Sequence, residues 1–112
     1  MIYHITQRED WQKAVASGTY EPAGYAADGF IHCSTREQVL DTARRYYTEA
    51  EDLVLLCIDP ALCGVEVVYE NLEGGEMLFP HLYGLLNVGA VLAAPVFNKD
   101  KEGHYQLPEG LA

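Results

Sequence analysis

The sequence predicts one α+β domain, built on a mixed or mostly antiparallel, split sheet with two main helices. Three observations lead there. Two helical patterns, each opened by a capping signature, lie in the first half of the chain. Short apolar runs of strand length fill the second half. The 112 residues, 49% of them hydrophobic, suffice for one core and not two. No composition break, linker or repeat divides the chain, so 1–112 reads as a single domain with a core over about 1–97 and a polar tail at 98–112.

Taken in order, Ile2 to Ile5 is short and rich in β-formers and predicts a strand. Thr6-Gln7-Arg8-Glu9 then has the Thr-x-x-Glu form of a capping box; Trp11, Ala14 and Val15 follow at helical spacing, and Gly18 stops the helix. Residues 19–29, with Tyr20, Pro22, Gly24, Tyr25 and Gly29, predict a surface loop. Phe30 to Cys33 is the next strand. Ser34-Thr35-Arg36-Glu37 repeats the capping box, and Val39, Leu40, Ala43, Tyr46 and Tyr47 mark the apolar face of a helix over 35–48. The unbroken apolar run Leu53 to Ile58, closed by Asp59-Pro60, predicts a buried central strand. Val65 to Glu70 alternates partly and suits an edge, and Asn71 to Gly75 is a turn. Leu78 to Tyr83 and Val88 to Phe97 complete the strands, with Pro80 and Pro95 implying edge positions or bulges. The tail from Asn98 is polar and predicted loose, with Tyr105 and Leu107 able to dock.

Charge limits the partners. Seventeen acidic residues against seven basic leave a formal net charge of −10, which repels phosphate backbones and excludes duplex nucleic acid while allowing a small nucleotide in a pocket. No apolar run approaches the roughly 20 residues of a membrane-spanning helix, and Met1-Ile2-Tyr3-His4 carries no export signal. A cytoplasmic protein is expected. Cys33, Cys57 and Cys63 form no Cys-x-x-Cys pair, so neither a zinc knuckle nor a redox motif is written, and a reduced compartment fits.

The chemistry centres on histidine. His4 and His32 each stand at the end of a predicted strand, directly before a capped helix whose free N–H groups carry partial positive charge. An imidazole beside such groups suits an anionic ligand, a pyrophosphate or a carboxylate; the other reading is a satisfied core histidine. Ser34 and Thr35 offer hydroxyls to that anion, and Arg36 is the nearest cation, or else a solvated charge. In the Phe79–Gly84 run, period two puts Phe79, His81 and Tyr83 on one face and Leu78 and Leu82 on the other. Such an imidazole between two rings can stack on a base or nicotinamide, or form an aromatic core layer. Glu70, at a strand end, is the candidate base or sugar-hydroxyl partner, or else a surface glutamate. His32 and Cys33 point to opposite faces, so Cys33 is no nucleophile. No His-x-x-x-His or Glu-x-x-His pair supports a metal, and Walker and Rossmann patterns are missing.

Ile2-Tyr3-His4-Ile5-Thr6, Gly29-Phe30-Ile31-His32-Cys33-Ser34-Thr35 with Gln38, the run Leu53 to Pro60, Glu70, and Phe79-Pro80-His81-Leu82-Tyr83-Gly84 together resemble the bacterial family called domain of unknown function 952, over about residues 1–97. The resemblance implies a fold related to the ADP-ribosyltransferases, whose split sheets hold NAD in a cleft. By that likeness His4 resembles the first-strand histidine that bonds the nicotinamide-side ribose, and His32 the second-strand residue beside the nicotinamide. The later catalytic glutamate of those enzymes has no clear match: the last motif offers His81 and Tyr83, with Glu70 and Glu76 upstream. The implied function is binding of NAD or another ADP-ribose-containing nucleotide in a histidine-lined cleft. ADP-ribosyl transfer, or removal of a phosphate onto ADP-ribose, would be the reaction of an enzyme. His4, His32 and Glu70 would be its catalytic residues, with Ser34, Thr35, Arg36, His81 and Tyr83 binding. The alternative is a non-catalytic module for a metabolite or protein.

Overall fold

In the computed structural model, which describes residues 1–72 and 74–111, the chain runs β1 (Ile2–Gln7), α1 (Arg8–Ser17), β2 (Thr19–Tyr20), α2 (Tyr25–Asp28), β3 (Ile31–His32), α3 (Val39–Tyr46), β4 (Leu53–Ile58), β5 (Glu66–Glu70), β6 (Phe79–Tyr83), β7 (Leu86–Asn87) and β8 (Val91–Ala93). Single 3-10 turns lie at Pro60–Leu62 and Val88–Ala90. The apolar run that forms β4 is buried along its whole length, between β1 and β8 and antiparallel to both. Its side chains alternate. Val54, Leu56 and Ile58 join Ile2 in one cluster, while Leu53, Leu55 and Cys57 join Tyr3 and Ile5 in another. Val39 and Ala43 of α3, with Phe97 and Tyr105, close the second cluster. A strand covered on both faces has no side to give to water, which is why no polar residue interrupts it.

A second antiparallel sheet has the order β3-β6-β5, and a small pair joins β2 to β7. Ile31 and Leu82 from the second sheet and Tyr20 and Leu86 from the pair enter the first cluster, together with Ala14 of α1. The sheets therefore share one core in a small α+β fold, and β1 is stitched to the residues after β3 by a two-bond bridge between Tyr3 and Ser34.

Several boundaries differ from expectation. Thr6 does not cap α1: β1 runs on to Gln7, and the buried Thr6 hydroxyl instead meets the Tyr20 phenol at 2.9 Å. Gly18 does end α1, in the left-handed region at φ 92°. The second capping box lies one residue late. The Gln38 carboxamide reaches back to the N–H of Thr35 at 3.0 Å, while Ser34 bonds Thr42, and α3 spans Val39–Tyr46 rather than 35–48. The expected loop at 19–29 contains β2 and α2. Pro80 lies in the central strand of its sheet, not at an edge. Its carbonyl accepts from Cys33 on the β3 side, so its missing N–H also points there, where β3 has already ended, and no rung to β5 is lost. The expected strand Val88 to Phe97 is shorter: Val88–Ala90 forms a 3-10 turn, the edge strand β8 spans Val91–Ala93, and Pro95 lies beyond it. The tail is ordered from Lys99 to Tyr105: Asp100 Oδ1 accepts from the N–H groups of Glu102 and His104, the Tyr105 ring stacks on Phe97 at 5.0 Å, and its hydroxyl donates to the Tyr47 carbonyl at 2.6 Å. Within the expected turn after β5, Glu73 lies outside the described residues. No described helix is long and apolar enough to cross a membrane.

Candidate functional site

A cleft of about 560 Å³ is lined by residues of β1, β2, α2, β3, α3, the end of β5 and β6. His4, His32 and His81 all reach it, because β3 and β6 pair His32 directly with His81 and β1 passes beside β3. Its size falls within the roughly 300–1,000 Å³ of ordinary small-molecule sites.

His4 is built into the wall. It sits in mid-strand, with Ile5, Thr6 and Gln7 still to come before α1 begins, so its expected place at a helix N-terminus is not found. Its Nδ1 donates to the His32 carbonyl at 2.5 Å, and Nε2 lies 2.8 Å from the Tyr20 phenol. That phenol has one hydrogen to share between Nε2 and the Thr6 hydroxyl. Burial pulls the imidazole down to about 4, because the charged form would lose its water, and the bond to His32 offsets this only in part. The ring is therefore neutral at physiological pH, with both nitrogens engaged inside the protein. Burial also pushes the Tyr20 phenol up.

His32 is exposed, and His81 beside it is buried though it lines the cleft. The Phe30 ring stacks on His81 at 4.3 Å and 25° and lies tilted against His32 at 4.6 Å; the two imidazoles meet edge-on at 5.3 Å. Each carries a carboxylate. Asp28 Oδ2 is 3.1 Å from His32 Nε2, where both side chains are about half exposed. Glu70 Oε1 is 2.9 Å from Nδ1 of the buried His81 and also accepts from the Tyr83 hydroxyl. The Tyr83 bond first, then the His81 bond, hold the Glu70 carboxyl below its usual range, so it is ionised.

The remaining expected residues divide. Ser34 lines the cleft, buried and bonded to Thr42; Thr35 and Arg36 do not line it, and Tyr83 contributes through Glu70 and a tilted contact with Phe30 at 5.4 Å. The anion rationale for His32 also loses its helix, since α3 begins seven residues later. The lining cation is Arg45, 3.3 Å from Asp41 on the same helix. Against it stand Asp10, Asp28, Asp41 and Glu70. Sequence reasoning missed Tyr20, Asp28, Phe30 and Arg45. The first lay in a segment read as loop; Asp28 and Arg45 carry no pattern that separates them from surface charges. Cys33 also lines the cleft, but burial pushes its thiol up, in line with its rejection as a nucleophile. Among the described residues no three His, Cys, Asp or Glu side chains are grouped to hold a metal ion.

The family model described as "Protein of unknown function (DUF952)" matches residues 5–94. The chain belongs to this family. A solved structure similar to this DUF952 chain is that of protein CC0527 from Caulobacter crescentus: its crystal structure has 38% sequence identity and a TM-score of 0.85, over 98% of this chain and 96% of that one. A crystal structure of a double mutant of CC0527 gives the same values. The solution NMR structure of CC0527 has 39% identity and a TM-score of 0.82, over 99% and 96% of the two chains. Among curated proteins nothing matches.

Proposed function

We propose that this DUF952 protein binds NAD or a related ADP-ribose-containing nucleotide in its cleft, and that the fold is of the ADP-ribosyltransferase kind. The observation that carries this reading is the convergence of His32, His81 and Phe30, with two carboxylates, on one wall of a cavity of about 560 Å³. Aromatic and imidazole rings offer stacking faces to a nicotinamide, and the nearby Asp28 and Glu70 favour the positive ring of oxidised NAD. Arg45, in place of Arg36, takes the pyrophosphate end. Ser34 contributes its hydroxyl, while Thr35 stays outside the contact. His4 acts by position: it fixes the His32 backbone instead of bonding ribose directly. With Glu70 ionised and His81 beside it, the wall is equipped for acid–base work in ADP-ribosyl transfer.

Calorimetric titration with NAD, NADH, ADP-ribose and nicotinamide tests the binding, and chromatography of released nicotinamide tests turnover. The expected result is tighter binding of NAD than of NADH, weakened at least tenfold by His32→Ala and by Arg45→Ala. Equal binding of the oxidised and reduced forms would remove the pyridinium argument, and no binding of any of the four would end the reading. Binding without nicotinamide release supports the non-catalytic module, which the internal engagement of both His4 nitrogens favours.

A further inference from the structure

We infer that His81, oriented by Glu70, is the proton acceptor of the cleft and that it serves a hydroxyl group. This deepens the nucleotide reading and rests on it for the identity of the attacked carbon.

The His81 ring is buried, 5% exposed, and its Nδ1 faces Glu70 at 2.9 Å. An ionised carboxylate only accepts, so Nδ1 carries a hydrogen, and in the neutral ring Nε2 keeps its lone pair. Among the described residues nothing bonds Nε2, and no polar side-chain atom is sealed away without a partner, so Nε2 keeps contact with solvent on a residue that lines the cleft. The ring cannot swing, since Phe30 stacks on one face and His32 meets it edge-on. Glu70 is fixed in turn by the Tyr83 hydroxyl on the same oxygen. Those two bonds hold the Glu70 carboxyl below its usual range and make it a weak base, so Glu70 acts as a positioning residue and the role of base passes to His81. His32 is the weaker candidate: its Nε2 is turned to Asp28 and its side chain is 54% exposed.

For the nucleotide, the step is as follows. The oxygen of water or of an alcohol forms a bond to the ribosyl carbon bearing nicotinamide. The C–N bond breaks with its electron pair going to the ring nitrogen, which releases neutral nicotinamide. The hydroxyl proton goes to Nε2 of His81, and the imidazolium so formed is paired with Glu70 until the proton passes to solvent.

Two measurements need no nucleotide. In protein labelled with 15N in its histidine rings, His81 should show the Nδ1–H form, with that preference lost in Glu70→Gln while the amide spectrum stays native. Hydrolysis of 4-nitrophenyl acetate should fall at least tenfold in His81→Gln and less than twofold in His104→Gln, at an exposed histidine outside the cleft. An Nε2–H form in the unsubstituted protein, or unchanged ester hydrolysis in His81→Gln, would overturn the assignment. If nicotinamide is released from NAD, His81→Gln should lower kcat by about 100-fold or more with KM within about threefold, and Tyr83→Phe should lower it less. A protein that meets both nucleotide-free tests yet neither binds nor cleaves NAD overturns the ribosyl step and the nucleotide reading, and leaves His81 as base.

Discussion

Lowering the pH should destabilise this protein through His4. The imidazole titrates at about 4 in the folded chain and at 6.5 when exposed, so between these values the unfolded state holds the proton and the folded state does not. Stability from the neutral ring is complete above about 6.5, declines as the pH falls, and is lost by about 4. From the two values, the loss is about 2 kcal/mol at pH 5 relative to pH 8, and about 3 kcal/mol below pH 4. Urea unfolding followed by Trp11 fluorescence at pH 8 and pH 5 measures it in the unsubstituted protein and in His4→Asn. The asparagine amide can still donate to the His32 carbonyl but has nothing to titrate. It should start from lower stability, because the Tyr20 partner is gone, yet lose about 2 kcal/mol less between the two pH values. NMR titration of the His4 ring protons should find a midpoint near the folded value of about 4. Parallel losses in both proteins, or a midpoint near 6.5, would refute the buried neutral ring.

Three other outcomes follow from packing. Gly84→Ala should cost about 1–3 kcal/mol in denaturant unfolding, because a Cβ there would stand 2.5 Å from Val65 Cγ1; pairing it with Val65→Ala should recover part of the loss. Tyr105→Phe should cost about 0.5–1.5 kcal/mol by removing the bond to the Tyr47 carbonyl, without altering ligand binding in the cleft. All three thiols are buried and pushed up, so native protein should react with a maleimide many times more slowly than protein in urea, as read by mass spectrometry.

The elements legible in the sequence are those whose own side chains specify them. The Leu53 to Ile58 run announces a strand with no solvent face, and Gly18 announces a helix end, because each signal is local. The capping boxes misled for a local reason as well. Thr6 and Ser34 are polar groups placed before a helix, but each found a partner elsewhere, in Tyr20 and Thr42. Pro80 misled because its tolerance depends on where β3 stops, a fact about another strand. At the site, the period-two pattern correctly put Phe79, His81 and Tyr83 together, and His4 and His32 do share a cleft. Their ring partners were not legible: Tyr20 and Phe30 arrive from segments with no periodicity. Glu70 is legible as a strand-end carboxylate, but its bonds to His81 and Tyr83, and that of Asp28 to His32, exist only in the folded chain.

The pairing of β1 with β4 sets how this chain can fold. Ile2 lies opposite Ile58 and Gln7 opposite Leu53, so the six-residue ladder at the centre of the molecule closes a loop that contains three helices and two short strands. No hairpin can zip that ladder from a nearby turn. The entropy of joining distant segments is met before the most buried strand gains its neighbour. Assembly is therefore expected to be slower than in helical bundles of equal length, with the amide hydrogens of β4 among the last to exchange with solvent.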